Sequence, residues 1–142
     1  MSTNYRAAGV FMVAALLSGC AGLVEAPLDC STVPNPQTRT LKFKVKADGC
    51  VEHVQKDADC DCDADAVVVH RCDTVVWLVT GKEKSVKFDK GNGSPFSWTE
   101  KAGAPGAKIE GTVKSGASYK PYGYTVRTEE ACPLDPMIIV ER

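Results

Sequence analysis

The stretch Ala66-Val67-Val68-Val69-His70-Arg71-Cys72-Asp73-Thr74-Val75-Val76-Trp77-Leu78-Val79-Thr80 decides the fold class. It holds two apolar runs of strand length, Ala66 to His70 and Thr74 to Thr80, on either side of a short polar turn. β-Branched residues dominate both runs, and a branched Cβ suits a pleated surface better than a helix. The second run is apolar on both faces, as a central strand of a sandwich requires. Upstream, Leu41, Phe43, Val45 and Ala47 alternate with Lys42, Lys44 and Lys46, giving a half-buried strand with a solvated lysine face that ends in an Asp48-Gly49 turn. Downstream, Val86 and Phe88 flank Lys87, Tyr122, Tyr124 and Val126 share one face, and Ile138, Ile139 and Val140 form a closing strand. Between Asp89 and Gly111 the chain is rich in glycine and proline, a turn region anchored by Phe96 and Trp98. No stretch after residue 40 keeps a helical period. These signals predict an all-β domain, an antiparallel Greek-key sandwich or barrel.

The whole chain has 142 residues, room for one domain. Lys plus Arg number 17 against 18 for Asp plus Glu, which removes the electrostatic basis for a nucleic-acid partner. Seven cysteines are many for this length and raise the question of redox compartment.

The N-terminus answers it. Arg6 is the only charge before Glu25, and Ala7 to Leu17 is an almost unbroken apolar run. The run is too short to span a bilayer, which takes about 20 residues. A charged start, a short apolar stretch and small residues describe an export signal. The segment ends Leu17-Ser18-Gly19-Cys20, which resembles the lipobox of bacterial lipoproteins. The resemblance implies cleavage before Cys20 and a lipid on its thiol, so that the membrane is a partner through the acyl chains. Ala21 follows rather than Asp, which under the sorting rule that accompanies this resemblance favours the outer membrane over the inner one. The expected organisation is a signal peptide over 1–19, a lipidated cysteine and proline-rich tether over 20–37, and a folded body over 38–142. Pro27, Pro34 and Pro36 exclude helix and central strand from the tether, although part of it near Cys30 could join the body as an extra strand.

The body also resembles a family. Val67 to Trp77 is similar to the early strand–turn–strand unit of cupredoxins, in which Gly-Asp-Thr precedes Val-x-Trp or Val-x-Phe. Val86-Lys87-Phe88 is similar to the strand that follows the first copper-ligand loop. Tyr122-Gly123-Tyr124-Thr125-Val126 is similar to the Tyr-x-Phe-x-Cys strand, and Asp135 to Val140 to the closing strand. The resemblance covers about residues 38 to 142, with a gap over 50 to 65. It implies a cupredoxin-like sandwich, but its copper ligands do not carry over. The first histidine aligns near Lys84 or Ser85, the ligand cysteine near Val126, and no histidine follows Cys132. A type 1 copper site needs two imidazoles and a thiolate converging at one end. Met137 alone is a strand residue.

Six cysteines follow Cys20: Cys30, Cys50, Cys60, Cys62, Cys72 and Cys132. Outside the cytoplasm they read as three disulfides, with 15 pairings open. The cupredoxin resemblance favours Cys30–Cys72, since Cys72 replaces the turn glycine, which in azurin-like members can be a cysteine bridged to the start of the first strand. Cys132 is expected at the same end as Cys50 and can reach Cys50, Cys60 or Cys62. The alternative is a zinc or cuprous-copper site built from Cys50, His53, Cys60, Cys62, His70 and Cys72, since thiolate with imidazole suits those ions. Asp57, Asp59, Asp61, Asp63 and Asp65 alternate through the same stretch, without the Gly and Glu that a calcium loop needs at its sixth and twelfth positions. They read as a solvated acidic loop.

Catalysis has little support: no nucleophile has a base and orienting group near it in sequence, and Cys-x-Cys opens no helix. The function expected is that of a cofactor-free binding or envelope-structural module with an envelope protein as partner, Phe96 and Trp98 forming the contact surface. Metal handling by residues 50–72 and inhibition of an envelope enzyme are the alternatives.

Overall fold

The computed structural model describes residues 28–56, 65–81, 83–128, 132 and 134–142. Among the described residues ten strands form: β1 (Thr38–Val45), β2 (Val51–Lys56), β3 (Ala66–His70), β4 (Thr74–Leu78), β5 (Glu83–Lys87), β6 (Glu100–Ala102), β7 (Lys108–Thr112), β8 (Pro121–Gly123), β9 (Thr125–Thr128) and β10 (Met137–Glu141). The only helical element among the described residues is a 3-10 turn, Cys30–Thr32, in which Asp29 Oδ1 accepts from Ser31 N at 2.9 Å. The expected all-β, disulfide-stapled sandwich is the fold observed.

One sheet has the order β2-β1-β4-β7, and two three-stranded sheets have the orders β3-β10-β8 and β6-β5-β9. The strand expected to be central, β4, lies between β1 and β7. Its alternation sends Val75 and Trp77 into the core, while Val76 is covered on the other side of the sheet. Val67 and Val69 from β3, Ile138 and Val140 from β10, and Tyr122, Tyr124 and Val126 close the same core.

The sheets are mixed rather than purely antiparallel. β1 runs parallel to β4, and β3 parallel to β10. Parallel neighbours need long connections, and these pairs have them: a hairpin and a crossing separate β1 from β4, and most of the domain separates β3 from β10. β3 and β4 are likewise not hydrogen-bonded partners. The Arg71–Asp73 turn carries the chain from one sheet to another.

Three strands fall where the sequence shows no strand signal. In β2 a bulge beside Val45 breaks the two-residue period, so Val51 and Val54 are both buried. The same bulge leaves Val45 half-buried and Ala47 exposed, although they continue the apolar alternation of Leu41 and Phe43. β6 is three exposed residues. β7 has one large apolar residue, Ile109, because its next inward position, Gly111, lies beneath aromatic rings. A Cβ there would meet Phe96 Cδ1 at 2.7 Å and Trp98 Cζ2 at 2.9 Å.

Candidate functional site

The end at which the cupredoxin resemblance would place copper is built from β5 and β9. Val86 pairs with Val126, and Ser85 with Arg127. Ser85 is buried, and its hydroxyl lies 3.2 Å from Glu100 Oε1. Val126 is fully buried, and its N–H donates to Leu134 O at 2.9 Å. Of the aligned positions, Ser85 holds a hydroxyl and Val126 an isopropyl group, and the Lys84 side chain lies outside the described residues. Cys132, in the loop that follows β9, is bonded to Cys50 in the turn between β1 and β2. A sulfur in a disulfide has no thiolate to give a metal. The residues at this end do not fit a type 1 copper ion.

The opposite end is organised by Asp73, 3% exposed. Gln37 N donates to its Oδ1 at 2.8 Å and His70 N to its Oδ2 at 2.9 Å, and His70 Nδ1 lies 3.5 Å from Oδ2. Thr74 N donates to Gln37 O, and Cys72 N to Val113 O. One buried carboxylate thus ties the chain before β1 to the turn between β3 and β4. Cys72 occupies the left-handed region at φ 73° and is bonded to Cys30, with Cα atoms 5.3 Å apart. The residues from Asp29 to Gln37, expected as tether, are fastened to the body by this bridge and by the Gln37 contacts.

The two bridges alter the proposed zinc or cuprous-copper set. Cys50 and Cys72 are disulfide-bonded and drop out of it. His53 lies on β2 opposite Lys44, and His70 faces Asp73. Among the described residues no three His, Cys, Asp or Glu side chains converge as a metal site. Cys20, Cys60, Cys62 and the acidic residues from Asp57 to Asp63 lie outside the described residues, and Asp65 is exposed.

The expected contact surface is corrected in part. Phe96 is 1% exposed and belongs to the core. It stacks on Trp98 with centroids 5.2 Å apart and meets Trp77 edge to face. Trp98 is partly buried against the same cluster. Trp77 Nε1 donates to the hydroxyl of Tyr124 at 3.2 Å, and burial raises the Tyr124 pKa far above the usual phenol value. These rings hold the core together and leave Phe96 no area for a partner.

A polar cluster joins β9 to the segments after β5 and before β10. The Thr125 hydroxyl lies 2.8 Å from Asp89 Oδ1 and 2.9 Å from Asp135 Oδ1. Lys90 Nζ donates to Asp135 Oδ2 at 2.9 Å, and Arg127 Nη2 to Asp89 Oδ2 at 3.3 Å. The Thr125 hydrogen bond, with Arg127, holds the Asp89 carboxyl below its ordinary pKa. The Lys90 hydrogen bond, with Thr125, does the same for Asp135, and Asp135 raises Lys90.

The sequence reading missed the outward face of the β3-β10-β8 sheet. Val68 and Met137, each 40% exposed, stand on it with Ile139 and Pro121. The signal was the uninterrupted Val67-Val68-Val69 run, which puts an apolar residue outside as well as inside.

No protein-family model matches this chain, and no curated protein does. Among solved structures the chain is similar to a pseudoazurin from Sinorhizobium meliloti, with 17% identity and a TM-score of 0.49 over 75% of each chain. It is also similar to the reduced Cu(I) form of an amicyanin variant, with 15% identity and a TM-score of 0.44 over 82% of this chain and 92% of that one. Both are cupredoxins. The chain folds as a mixed β-sandwich stapled at both ends by disulfides, and among the described residues no metal-ligating cluster stands at its β5–β9 end.

Proposed function

We propose that this chain is an extracytoplasmic lipoprotein, anchored through Cys20, whose cupredoxin-like body is a binding or structural module of the cell envelope and not an enzyme. One observation carries the module reading: the end where a cupredoxin would ligate copper presents Ser85 and Val126, while its loop cysteine is spent on the Cys50–Cys132 bridge. The order of the strand motifs supports the family reading. The anchor rests on Leu17-Ser18-Gly19-Cys20 and the apolar run before it, and Ala21 favours the outer membrane. Disulfides fit a compartment outside the cytosol.

Two measurements test the reading. Radiolabelled palmitate should enter the wild-type chain in cells and fail to enter Cys20→Ser. Purified protein titrated with Cu(II) should develop no intense visible thiolate-to-copper absorption. A strong band of that kind, retained when Cys60 and Cys62 are replaced by serine, would reinstate a type 1 site and end the module reading.

A further inference from the structure

We infer that the outward face of the β3-β10-β8 sheet, continued by a basic rim around Tyr119, rests on an anionic lipid surface. The inference deepens the lipoprotein reading and depends on it for the position of the anchor.

The register defines the face. Ile139 sits between Val68 and Pro121, and Met137 between Ala66 and Gly123. Burial alternates along β3 and β10, so these side chains point away from the core. Two of its three cross-strand rows carry no charge, and the third pairs His70 with Glu141. A sandwich sheet that faces water carries polar residues outward. β1 does so with Lys44. An apolar outward face departs from that pattern.

The rim supplies the charge. The Arg71 guanidinium lies 4.0 Å from the centre of the Tyr119 ring, and that of Arg142 lies 5.4 Å from the same ring. Lys120 Nζ stands 5.0 Å from the Tyr122 ring. These three cations gather at the His70–Glu141 end of the face, where Glu141 is exposed opposite His70. Apolar centre, aromatic rings and cationic edge are the composition that settles at a lipid headgroup boundary.

Chain length orients the face. The described residues begin at Leu28, which is 45% exposed. Two positions later Cys30 is bonded to Cys72, in the turn that ends β3. From Cys20 to Leu28 the chain can reach at most about 28 Å. That is about one diameter of a domain this size. A body tethered so closely, by the end that bears Arg71, stays within about one diameter of the surface that holds its anchor. Area separates lipid from a folded partner. Three strands of this length present at most roughly 240 Å², whereas a stable protein pair takes about 800 Å² from each side. A lipid surface sets no such minimum.

Met137 is a native probe, because Met1 and Met12 precede Cys20 and no other methionine follows it. The full chain, purified from membranes in detergent, is placed in vesicles of phosphatidylcholine with phosphatidylglycerol and in vesicles of phosphatidylcholine alone. Oxidation of Met137 by hydrogen peroxide is then followed by mass spectrometry. We expect several-fold slower oxidation on the anionic vesicles than on the neutral ones or in detergent, and recovery of the fast rate in Val68→Glu and in Arg71→Glu/Arg142→Glu. Equal rates in all three settings, protection that survives both variants, or protection found only in native membranes, where another protein must be the cover, would each overturn the inference. Palmitate labelling is read separately. A labelled chain with an unprotected Met137 sinks the face alone, and an unlabelled chain sinks the lipoprotein reading.

Discussion

Asp73 shows how much one buried residue can decide. Its carboxylate accepts backbone N–H groups from Gln37, 36 residues before it, and from His70, 3 residues before it, and it nearly lacks solvent. Removing it strands both donors, and an unsatisfied buried donor costs about 1–3 kcal/mol. Asp73→Ala should therefore lose about 2–4 kcal/mol of stability, while Asp73→Asn, which keeps one acceptor, should lose less. Urea midpoints of the three proteins check the order, and equal midpoints would refute it. Gly111 makes the complementary case from crowding. Gly111→Ala would push a methyl into the stacked Phe96 and Trp98 rings, and overpacking of that kind costs about 1–3 kcal/mol. The near-ultraviolet circular dichroism of the tryptophans should change with it, and an unchanged spectrum with unchanged stability would show that the rings are free to move. The Asp73 position was legible from the Asp-Thr pair that opens β4. The need for Gly111 was not, since it arises from rings 13 and 15 residues away in sequence.

Among the elements, the cluster of Thr125, Asp89, Asp135, Lys90 and Arg127 is what fastens β9 to the segments on either side of it. Both carboxyls are held below 3.8, the value of the free side chain. A carboxyl depressed in the folded state stabilises the fold above its unfolded pKa, and that stability is lost as pH falls through the folded value. The contribution should thus be complete at neutral pH and decline from about pH 4 downward. Unfolding midpoints measured from pH 7 to pH 2.5 should fall less steeply in Asp89→Asn/Asp135→Asn than in the wild type. A parallel fall would assign the acid loss elsewhere. At this scale the sequence was uneven. β1, β3, β4 and β10 announced themselves by alternation or by branched runs. β2, β6 and β7 did not, because a bulge, full exposure and a glycine under rings respectively erased the two-residue period. Phe96 was legible as an anchor of the turn-rich region, and its burial removes it from the contact surface.

For the whole molecule, the two disulfides close loops of 42 and 82 residues at opposite ends of the sandwich. Cross-links of this size contribute about 2–4 kcal/mol each, chiefly by restricting the unfolded chain, and the longer loop contributes a few tenths more. Reduction should lower the thermal midpoint markedly, and Cys50→Ser/Cys132→Ser should cost slightly more than Cys30→Ser/Cys72→Ser. Peptide mapping without reductant should recover the Cys30–Cys72 and Cys50–Cys132 pairs. Recovery of Cys50 or Cys132 with Cys60 or Cys62 instead would contradict the structure.

The sequence alone determined that this body is all strand, with Thr74–Thr80 near its centre. Side-chain branching and two-residue alternation are local properties, and they act on the backbone wherever the chain goes. It also pointed to an exported chain through the apolar run before Cys20. Only the tertiary structure decided which strands run parallel, that Cys50 meets Cys132, and that Val68, Ile139 and Met137 share an outer face. Those facts depend on residues far apart in sequence arriving side by side. No local pattern encodes that arrival, because it is the packing of the whole core that selects it.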